Sequence, residues 1–557
     1  RRVADIAVDQ TDPATWYVGI GSGGVWKTEN AGTTWSPIFD DEAVYSIGDV
    51  TIDPSNPNII WVGTGENNGG RHIAFGDGVY KSLDGGKTWK NMGLKKSEHI
   101  GDIIVHPTDS NTVWVSAQGP LWSGGGERGL FKTTDGGQTW RNVLEGDEWT
   151  GVGSVAIDPR NPNKLYAAKW QRQRTIANLI DSGPGSGLYT SDDGGETWRQ
   201  MTEGLPKGSM GKSSIAVSPI NPDVVYASIE LDERKGGFWR SSDRGASWVK
   251  MSDVAAGGTG NHYYQEIFTD PHTFDMVYFS NNASKVTKDG GKTWETMNLK
   301  NRHVDDHAFA FHPDDPDFIL VGSDGGLYES RDDMKTWRFN QSIPVTQFYK
   351  IAADDDFPFY NVYGGTQDNS TQGGPSRTKR ADGIKNSDWY IILGADGHQP
   401  ATEPGNPDIV YAQWQKGSLN RYDRKLRETV FIQPQPKPGE PAERFNWDAP
   451  INVSHHDPKR LYHASQRLWR SDDRGDTWTA ISPDLTRNGN RLRMPMMGRT
   501  WGPEAGWDLY AMSDFHTIAN VAESPIDENI LYVGTDDGLI QVTSDGGETW
   551  TRYEIGK

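Results

Sequence analysis

Acidic residues and histidines recur in several loops of the sequence, in a pattern that suits acid–base chemistry. The stretch "RHVDDH" contains His303, Asp305 and His307, and "SDGG" adds Asp324 shortly after it. "GADGH" adds Asp396 further along the chain. Two carboxylates that face one cleft can act as general acid and as base or nucleophile. Asp324 and Asp396 are therefore the candidate catalytic residues if the protein is hydrolytic; because each precedes a glycine, a turn-forming role is the alternative.

Polar and aromatic side chains in other loops suit the recognition of a ligand. A tryptophan can stack on a sugar ring, and an arginine can bind a carboxylate through two hydrogen bonds. The alternatives are tryptophans that pack between sheets and, for the basic run "WQRQR", a merely solvated loop. The candidate ligand-binding residues are Glu66, Gln118, Trp170, Arg172, His303, Asp305, His307, Gln367, Asp368, Asn369, His398 and Trp447.

The stretch "HVDDH" also has the residue types of a cation site. Two histidines and a carboxylate could hold a metal ion. However, only one side of a strand faces a given cleft, and Asp or His at the start of a strand often caps a turn. We therefore predict no metal site and no cofactor.

Composition excludes several classes of protein. The 557 residues carry a net charge of −20, so a nucleic-acid partner would be repelled. There is no cysteine, which excludes disulfides and cysteine nucleophiles. We expect no membrane span, because no apolar run reaches the roughly 18–20 residues that cross a bilayer. The start "RRVADIAVD" lacks the apolar region of a signal peptide. We expect a secreted or cell-surface protein, or a periplasmic one, and its leader would then already have been removed.

An internal repeat of about 50 residues runs through the chain. One copy begins "VGSVAIDPRNPNKLYAAKW" and ends "GLYTSDDGGETWRQM". We count eleven units, of which nine end in a turn of the form S-x-D-x-G-x-T-W or a close variant. Each unit contains four β-rich runs separated by turns, without helical periodicity of useful length. Four-stranded sheets repeated in this way bury both faces by radial packing in a β-propeller.

The repeat predicts an all-β fold of tandem β-propellers built of four-stranded blades. Residues 1–343 are assigned to a seven-bladed propeller and residues 344–557 to four further blades of a second, incomplete one. An open set of four blades would expose sheet edges and apolar faces. A continuation of the chain or a second chain is therefore expected to complete it. A single ten-bladed propeller is the alternative.

The repeated turn is predicted to be scaffold. Its aspartate can accept hydrogen bonds from its own turn, Gly195 permits a positive φ, and Trp198 can pack between neighbouring sheets. A residue needed for chemistry at one point would not be duplicated around a ring. The turn aspartates are Asp84, Asp135, Asp193, Asp243, Asp289, Asp473 and Asp545.

The same strand order separates two faces of each propeller. The Asn/Pro turn between the first and second strands and the repeated turn between the third and fourth lie on one face, here called the turn face. The loop between the second and third strands and the link between blades lie on the other, here called the loop face. Loop-face segments differ from blade to blade, as in 63–78, 116–129 and 169–187. Variable loops on a rigid scaffold usually carry function, so the candidate residues are expected there.

The turn resembles the Asp-box of sialidases, sortilin-type receptors and two-propeller xyloglucanases. Longer segments, among them "GERGLFKTTDGGQTW" and "HVDDHAFAFHPDDPDFILVGSDGGLYES", resemble large exported bacterial tandem propellers of the sortilin-like or glycosyl-hydrolase-like kind. Such relatives continue with about three more blades, which would give two seven-bladed rings. The ten-bladed alternative is the arrangement of sortilin.

The resemblance implies a glycan ligand, but the sequence departs from the xyloglucanase pattern at one position. In xyloglucanases the first catalytic Asp sits in a "TDIGG"-like stretch of the first blade, and the matching "GIGSGG" has Gly21 at that position. One of the two carboxylates that a glycosidase needs is thus absent from its usual place. We expect a glycan bound at the loop face, without catalysis or with weakly supported glycoside hydrolysis. The alternative is a protein- or peptide-binding or assembly platform, as in sortilin-type domains.

Overall fold

The computed structural model describes residues 2–71, 73–256, 260, 262–502, 505 and 513–554. Within these residues the chain forms eleven four-stranded antiparallel sheets and one additional two-stranded sheet. Helical structure in the described part is limited to three short 3₁₀ turns, Asp232–Arg234, Asn386–Asp388 and Arg491–Arg493. The prediction of an all-β fold of tandem propellers with four-stranded blades is confirmed. None of the helices described is long and apolar enough to cross a membrane.

The chain divides into two compact units, and the first contains blades 1–7. This seven-bladed unit comprises Arg1–Val345 and Pro495–Leu509. Its strands are β1 Val3–Val8, β2 Trp16–Ile20, β3 Gly24–Thr28, β4 Ser36–Pro37; β5 Ile47–Ile52, β6 Ile60–Thr64, β7 Val79–Ser82, β8 Lys90–Asn91; β9 Ile100–His106, β10 Asp109–Ala117, β11 Gly129–Thr133, β12 Arg141–Glu145; β13 Thr150–Asp158, β14 Asn161–Gln171, the hairpin β15 Gln173–Arg174 and β16 Leu179–Ile180, β17 Gly187–Ser191, β18 Arg199–Gln200; β19 Met210–Val217, β20 Val225–Leu231, β21 Lys235–Ser241, β22 Val249–Ser252; β23 Ile267–Thr269, β24 Val277–Phe279, β25 Lys285–Thr287, β26 Glu295–Thr296; and β27 Asp306–Phe311, β28 Phe318–Ser323, β29 Gly326–Arg331, β30 Arg338–Phe339.

The second unit contains blades 8–11. It comprises Thr346–Met494 and Tyr510–Lys557. Its strands are β31 Lys350–Ala353, β32 Asn361–Gly365, β33 Thr371–Pro375, β34 Tyr390–Leu393; β35 Ala401–Glu403, β36 Asn406–Trp414, β37 Ser418–Asp423, β38 Glu428–Phe431; β39 Ile451–Val453, β40 Leu461–Ala464, β41 Leu468–Ser471, β42 Thr479–Ala480; and β43 Ile518–Glu523, β44 Leu531–Thr535, β45 Leu539–Thr543, β46 Thr551–Glu554.

Blades of the first unit pack face to face and close a ring. The second strand of each blade carries a large side chain that is buried against the next blade, as Tyr17 and Trp61 do for blades 2 and 3. Blade 7 returns to blade 1, where Phe318 and Leu320 pack with Val3 and Trp16 in one apolar cluster. The alternating pattern of the strands thus buries both faces of every sheet in this ring.

The repeated turns on the turn face form the hydrogen bonds expected of a scaffold. Asp193 Oδ1 accepts from Ser191 Oγ at 2.7 Å and from the N–H of Thr197 at 2.9 Å. Asp193 Oδ2 accepts from Thr197 Oγ1 at 2.6 Å. Gly195 has a φ of +87°, which favours glycine. The first blade has Asn30 in place of the aspartate, with Thr34 again as partner.

Tryptophans of the repeated turns tie neighbouring blades together. Trp89 Nε1 donates to the carbonyl of Ile38 at 2.6 Å, and Trp140 Nε1 donates to the carbonyl of Met92 at 2.8 Å. Both acceptors belong to the preceding blade. Trp198 differs, because its Nε1 donates to Gly195 O of its own turn. The turn is therefore part of the inter-blade packing at several positions of the ring.

The inner strands of blades 1–3 carry acidic side chains at one equivalent position. Asp5 Oδ2 accepts from the N–H of Val50 at 2.8 Å, and Asp102 Oδ2 accepts from the N–H of Val155 at 2.7 Å. Asp49 occupies the same position in blade 2. Each acceptor and donor belong to adjacent blades. These carboxylates therefore link successive inner strands.

The first and last blades of the second unit expose apolar side chains at positions that are buried in the first unit. Ile351 of blade 8 is 67% exposed, whereas the equivalent Val50 is 3% exposed. Tyr532 of blade 11 is 48% exposed, whereas the equivalent Tyr17 is 2% exposed. The completion of this unit by further blades stays a prediction.

Candidate functional site

Arg2 lies at the centre of a buried ion-pair network on the loop face of the seven-bladed unit. Its guanidinium pairs with Glu66 of blade 2 and, through Nε at 2.9 Å, with Asp324 Oδ1 of blade 7. The hydroxyl of Tyr263 accepts from Arg2 and donates to Asp324 Oδ2 at 2.7 Å. His307 Nε2 lies 3.0 Å from Asp324 Oδ1. One arginine thus joins two carboxylates from different blades, and we call these residues the Arg2 cluster.

Two tyrosines and a histidine form an aromatic wall beside Asp324. The Tyr263 and Tyr264 rings are perpendicular, with centroids 4.9 Å apart, and Tyr264 stacks on His307 at 5.6 Å. The Arg2 guanidinium lies 4.5 Å from the centroid of Tyr263. Both tyrosines precede β23, so blade 6 supplies this wall. Aromatic rings with hydroxyl or imidazole edges can contact the apolar faces and the hydroxyls of a sugar.

Asp305 is a carboxylate beside the Arg2 cluster whose pKa is perturbed. One of its oxygens lies within 4.8 Å of an oxygen of Asp324. Burial raises the pKa of Asp305 above its usual range, and the negative charge of Asp324 raises it further. Hydrogen bonds from Tyr264 and from Asn282 Nδ2, the latter at 2.7 Å, act in the opposite direction. A carboxyl group with a raised pKa suits the role of a general acid.

Glu66 occupies the space that a side chain at Gly21 would fill. A Cβ atom built on Gly21 would lie 2.8 Å from Glu66 Cδ and 2.9 Å from Glu66 Oε2. The Glu66 side chain is buried and its Oε1 accepts from Ser22 Oγ at 3.5 Å. The carboxylate missing from the first-blade position is therefore matched in space by one from blade 2.

Other candidates in the first unit take less exposed positions than the sequence suggested. Arg172 is fully buried, and its Nη1 donates to the carbonyl of Asn68 at 2.7 Å. Gln118 Nε2 donates to the carbonyl of Asn67 at 3.2 Å. Trp170 is 2% exposed, so its ring is not accessible for stacking on a ligand.

Three further residues on the loop face differ in accessibility. His303 is half-buried, and its Nδ1 lies 2.7 Å from the carbonyl of Val304. Trp122 on the loop after β10 is 42% exposed, and Phe75 on the loop before β7 is 68% exposed. Phe75 and Trp122 thus provide accessible aromatic surfaces on the loops of blades 2 and 3.

The remaining candidates lie in the second unit and form their own group. Asp396 Oδ1 accepts from the N–H of Asp368 at 2.9 Å, which is a turn contact. Tyr349 donates to Gln367 Oε1 at 2.8 Å and stacks on the buried His398 at 4.9 Å. The other two members of the group are Asn369, whose Nδ2 donates to Gln367 O at 2.9 Å, and Trp447, whose ring is 6.3 Å from His398.

Sequence reasoning missed Arg2, Tyr263 and Tyr264. Arg2 stands before the first strand, and "NHYYQ" contains no charged residue and no repeat feature. A signal was nevertheless present, since both segments immediately precede inner strands, as "RHVDDH" does. Asp324 and Asp396, the candidate catalytic pair, lie in different units.

A comparison with family models classifies the chain. The model described as sortilin, neurotensin receptor 3 (Sortilin-Vps10) matches residues 77–234 and 236–382, together more than half of the chain. The chain belongs to the Sortilin-Vps10 family. The BNR-Asp box repeat model also matches residues 468–481, the turn of blade 10. The resemblance drawn from the repeated turns is therefore confirmed.

Curated proteins similar to this Sortilin-Vps10 family chain include xyloglucanases. A probable oligoxyloglucan-reducing end-specific xyloglucanase of Neosartorya fischeri is 26% identical over 234 residues, 38% of this chain and 25% of that protein. Xyloglucanase Xgh74A of Acetivibrio thermocellus is 21% identical over 332 residues, 52% of this chain and 38% of that protein. The chain thus matches well under half the length of either relative.

Solved structures similar to this family member share the fold. A GH74 enzyme of Niastella koreensis aligns with a TM-score of 0.57 and 16% identity over 99% of this chain and 78% of that one. The GH74 xyloglucanase of Xanthomonas campestris aligns with a TM-score of 0.52 and 15% identity over 100% of this chain and 93% of that one. At these identities the likeness concerns the propeller fold alone.

Proposed function

We propose that this chain acts outside the cell as a glycoside hydrolase that binds a neutral glycan of the xyloglucan class at the loop face of the seven-bladed unit. The observation that carries the proposal is the position of the Glu66 carboxylate, which fills the space of a side chain at Gly21. That is where the resemblance to xyloglucanases places a catalytic carboxylate. The similarity of the chain to xyloglucanases supports the substrate class.

The two carboxylates have environments that suit opposite roles. Glu66 is ion-paired with Arg2, which favours a carboxylate that acts as base or nucleophile. Asp305 has a raised pKa, which favours a carboxyl group that protonates the leaving oxygen. In a glycosidase the acid donates a proton to the glycosidic oxygen while the second carboxylate attacks the sugar carbon or activates water.

Two members of the Arg2 cluster, together with an aromatic ring on the same face, would orient the sugar. Tyr263 and His307 offer a hydroxyl and an imidazole for sugar hydroxyls, and Trp122 offers an exposed ring on the blade 3 loop. Residues of the repeated turns take no part in this proposal, because they lie on the turn face.

The proposal is tested by incubating the chain with xyloglucan and measuring hydrolysis as the release of reducing ends. We expect turnover by the wild-type chain and a loss of about 10³-fold with Glu66→Gln or Asp305→Asn, the size of effect typical for a catalytic acid or base. Mannan serves as the control polysaccharide. If the turnover of Glu66→Gln stayed within about threefold of the wild-type rate, this would contradict the catalytic role of Glu66.

Glycan binding without hydrolysis is the second candidate. It is favoured by the pairing of Arg2 with both Glu66 and Asp324, which occupies the two buried carboxylates. In that case the wild-type chain binds xyloglucan in calorimetry without releasing reducing ends, and Glu66→Gln weakens binding. Absence of both binding and turnover would contradict both candidates.

A further inference from the structure

A short segment of blade 2 is held by side chains of other blades through its backbone. We call residues 66–70 the strap. Four successive carbonyl oxygens of the strap accept hydrogen bonds from four different side chains. The contacts are Glu66 O with His99 Nδ1 at 2.9 Å, Asn67 O with Gln118 Nε2 at 3.2 Å, Asn68 O with Arg172 Nη1 at 2.7 Å, and Gly69 O with Arg174 Nη1 at 2.7 Å.

Backbone N–H groups of the strap are bound as well. The N–H of Gly69 donates to the carbonyl of His262 at 2.8 Å, and the N–H of Gly70 donates to Asn68 Oδ1 at 2.7 Å. The carbonyl contacts come from blades 3 and 4, whereas His262 precedes the inner strand of blade 6. The strap therefore runs from blade 2 to the opposite part of the ring, on the loop face.

The chemistry of the donors fits a holding role. Burial lowers the pKa of His99, so its ring is neutral and the proton on Nδ1 is donated to Glu66 O. Arg172 is fully buried and forms no ion pair with a carboxylate within the part of the chain that the structure describes. A guanidinium buried in this way is costly, and its contact with a strap carbonyl gives it a structural reason to be there.

Glu66 is the first residue of the strap and also the residue whose carboxylate reaches the Gly21 position. Its backbone cannot shift without moving that carboxylate away from Ser22 and Arg2. We propose that Arg172 and Arg174 of blade 4 are positioning residues, which hold the strap and thereby fix the Glu66 carboxylate beside Gly21. The catalytic consequence rests on the proposed function; the holding of the strap does not.

Hydrogen–deuterium exchange of peptides that cover residues 64–71 tests the holding directly. Arg172→Met and Arg174→Met should accelerate exchange of the Glu66, Gly69 and Gly70 amides about tenfold or more, because their local opening becomes easier. Arg172→Lys should restore most of the protection, since one ammonium N–H can still donate to a carbonyl.

The matched control is Lys164→Met. Lys164 lies on β14 of blade 4 and is also buried, but its Nζ donates to Asp192 Oδ1 at 2.8 Å, beside the repeated turn, and not to the strap. We expect strap exchange within about twofold of the wild type in this variant. Unchanged strap exchange in both Arg172→Met and Arg174→Met would overturn the proposal, and so would equal acceleration in Lys164→Met or across the whole unit.

Xyloglucan turnover provides the second readout. If the wild-type chain is active, Arg172→Met should lower kcat about tenfold or more and leave KM within about threefold, because a misplaced carboxylate affects the chemical step most. Arg172→Lys should recover most of kcat. An unchanged kcat in a variant with a loosened strap would overturn the link to Glu66. If the wild-type chain is inactive, the proposed function fails while the exchange experiment still decides whether the strap is held.

Discussion

Two of the carboxylates of blade 2 lie at opposite faces of the ring, and they differ in burial and in the source of their partners. Asp84 on the turn face is only half-buried, and hydrogen bonds from Thr88 and Ser82 lower its pKa to about 2. Glu66 on the loop face is buried, ion-paired with Arg2, and held at its backbone by His99. The first side chain is satisfied within its own turn, whereas the second depends on partners from other blades.

This difference shows how a repeat separates scaffold from site. The contacts of Asp84 recur at Asp135 and Asp193 with nearly the same distances. The contacts of Glu66 occur once in the residues that the structure describes, because they need the particular neighbours that blades 1 and 3 provide. A carboxylate whose partners are repeated is expected to support stability, and one whose partners are unique is expected to support function.

The largest expected effect concerns Asp305. We expect Asp305→Asn to lower xyloglucan hydrolysis about 10³-fold, about 4 kcal/mol in transition-state stabilisation, because the amide cannot protonate the leaving oxygen. The raised pKa of Asp305 also predicts that wild-type activity falls as pH rises through that pKa and the acid ionises. Rates from pH 4 to 9 provide the measurement. A wild-type profile without an alkaline limb would argue against Asp305 as the acid.

A second effect concerns the carboxylates of the inner strands. Their pKa values are raised, whereas the pKa values of the turn aspartates are lowered. Burial raises the pKa of Asp5 to about 6 and that of Asp102 to about 7. A folded-state pKa above the unfolded value, about 3.9, means that the native state binds more protons between these values. The stability of the seven-bladed unit should therefore fall as pH rises from about 4 to 7.

Asp102→Asn isolates this contribution. The amide oxygen can still accept from the N–H of Val155, but the charge is absent. We expect a gain of about 2 kcal/mol in the free energy of unfolding at pH 8 and almost none at pH 4. This value is smaller than the full pKa shift of Asp102 would give, because water reaches the half-buried carboxylate and screens its charge. Urea denaturation at both pH values measures it. A variant less stable than wild type at pH 8 would refute the assigned sign.

A smaller effect is expected at a repeated turn. Asp193→Ala should lower the free energy of unfolding by about 1 kcal/mol at pH 7, because it removes hydrogen bonds from Thr197 and Ser191. The pKa of Asp193 is lowered to about 2, so this contribution should disappear as pH falls from about 4 towards 2. Glu295→Ala on β26 is the exposed control, with an expected change below about 0.5 kcal/mol. Calorimetry of both variants measures these changes in stability. Xyloglucan turnover should be unchanged in both.

The smallest effect is expected in blade 1, where the turn carries an amide. Asn30→Asp should add about 0.3 kcal/mol at neutral pH, because a carboxylate accepts from Thr34 more strongly than an amide oxygen does. The gain should vanish as the pH falls towards 2, because the aspartates of the equivalent turns are protonated only there. A destabilised variant at pH 7 would show that blade 1 uses its turn differently from blades 2–4.

The repeated part of the molecule could be predicted from sequence because its interactions are local. Asp193, Gly195 and Thr197 lie within five positions of one another, so the hydrogen bonds of the turn follow from spacing alone. The role of Trp89 in packing against the preceding blade follows from its size and its fixed place after the turn.

The site could be predicted only in part because its interactions join distant segments. Asp305 and His307 were found as polar residues at the start of an inner strand, and Asp324 was found in the loop between the second and third strands of the same blade. Glu66 was expected at the loop face, but its overlap with the Gly21 position depends on how the loops of blades 1 and 2 meet. Spacing also gave no reason to connect Arg2 with Asp324 across the ring closure.

The most direct test of this separation compares Glu66→Gln with Asp84→Asn in the same blade. Xyloglucan turnover and binding are measured for both variants beside their unfolding temperatures. The account predicts that Glu66→Gln loses turnover about 10³-fold while the unit stays folded, and that Asp84→Asn keeps turnover and unfolds at a lower temperature. The reverse outcome, with turnover lost in Asp84→Asn and retained in Glu66→Gln, would contradict it.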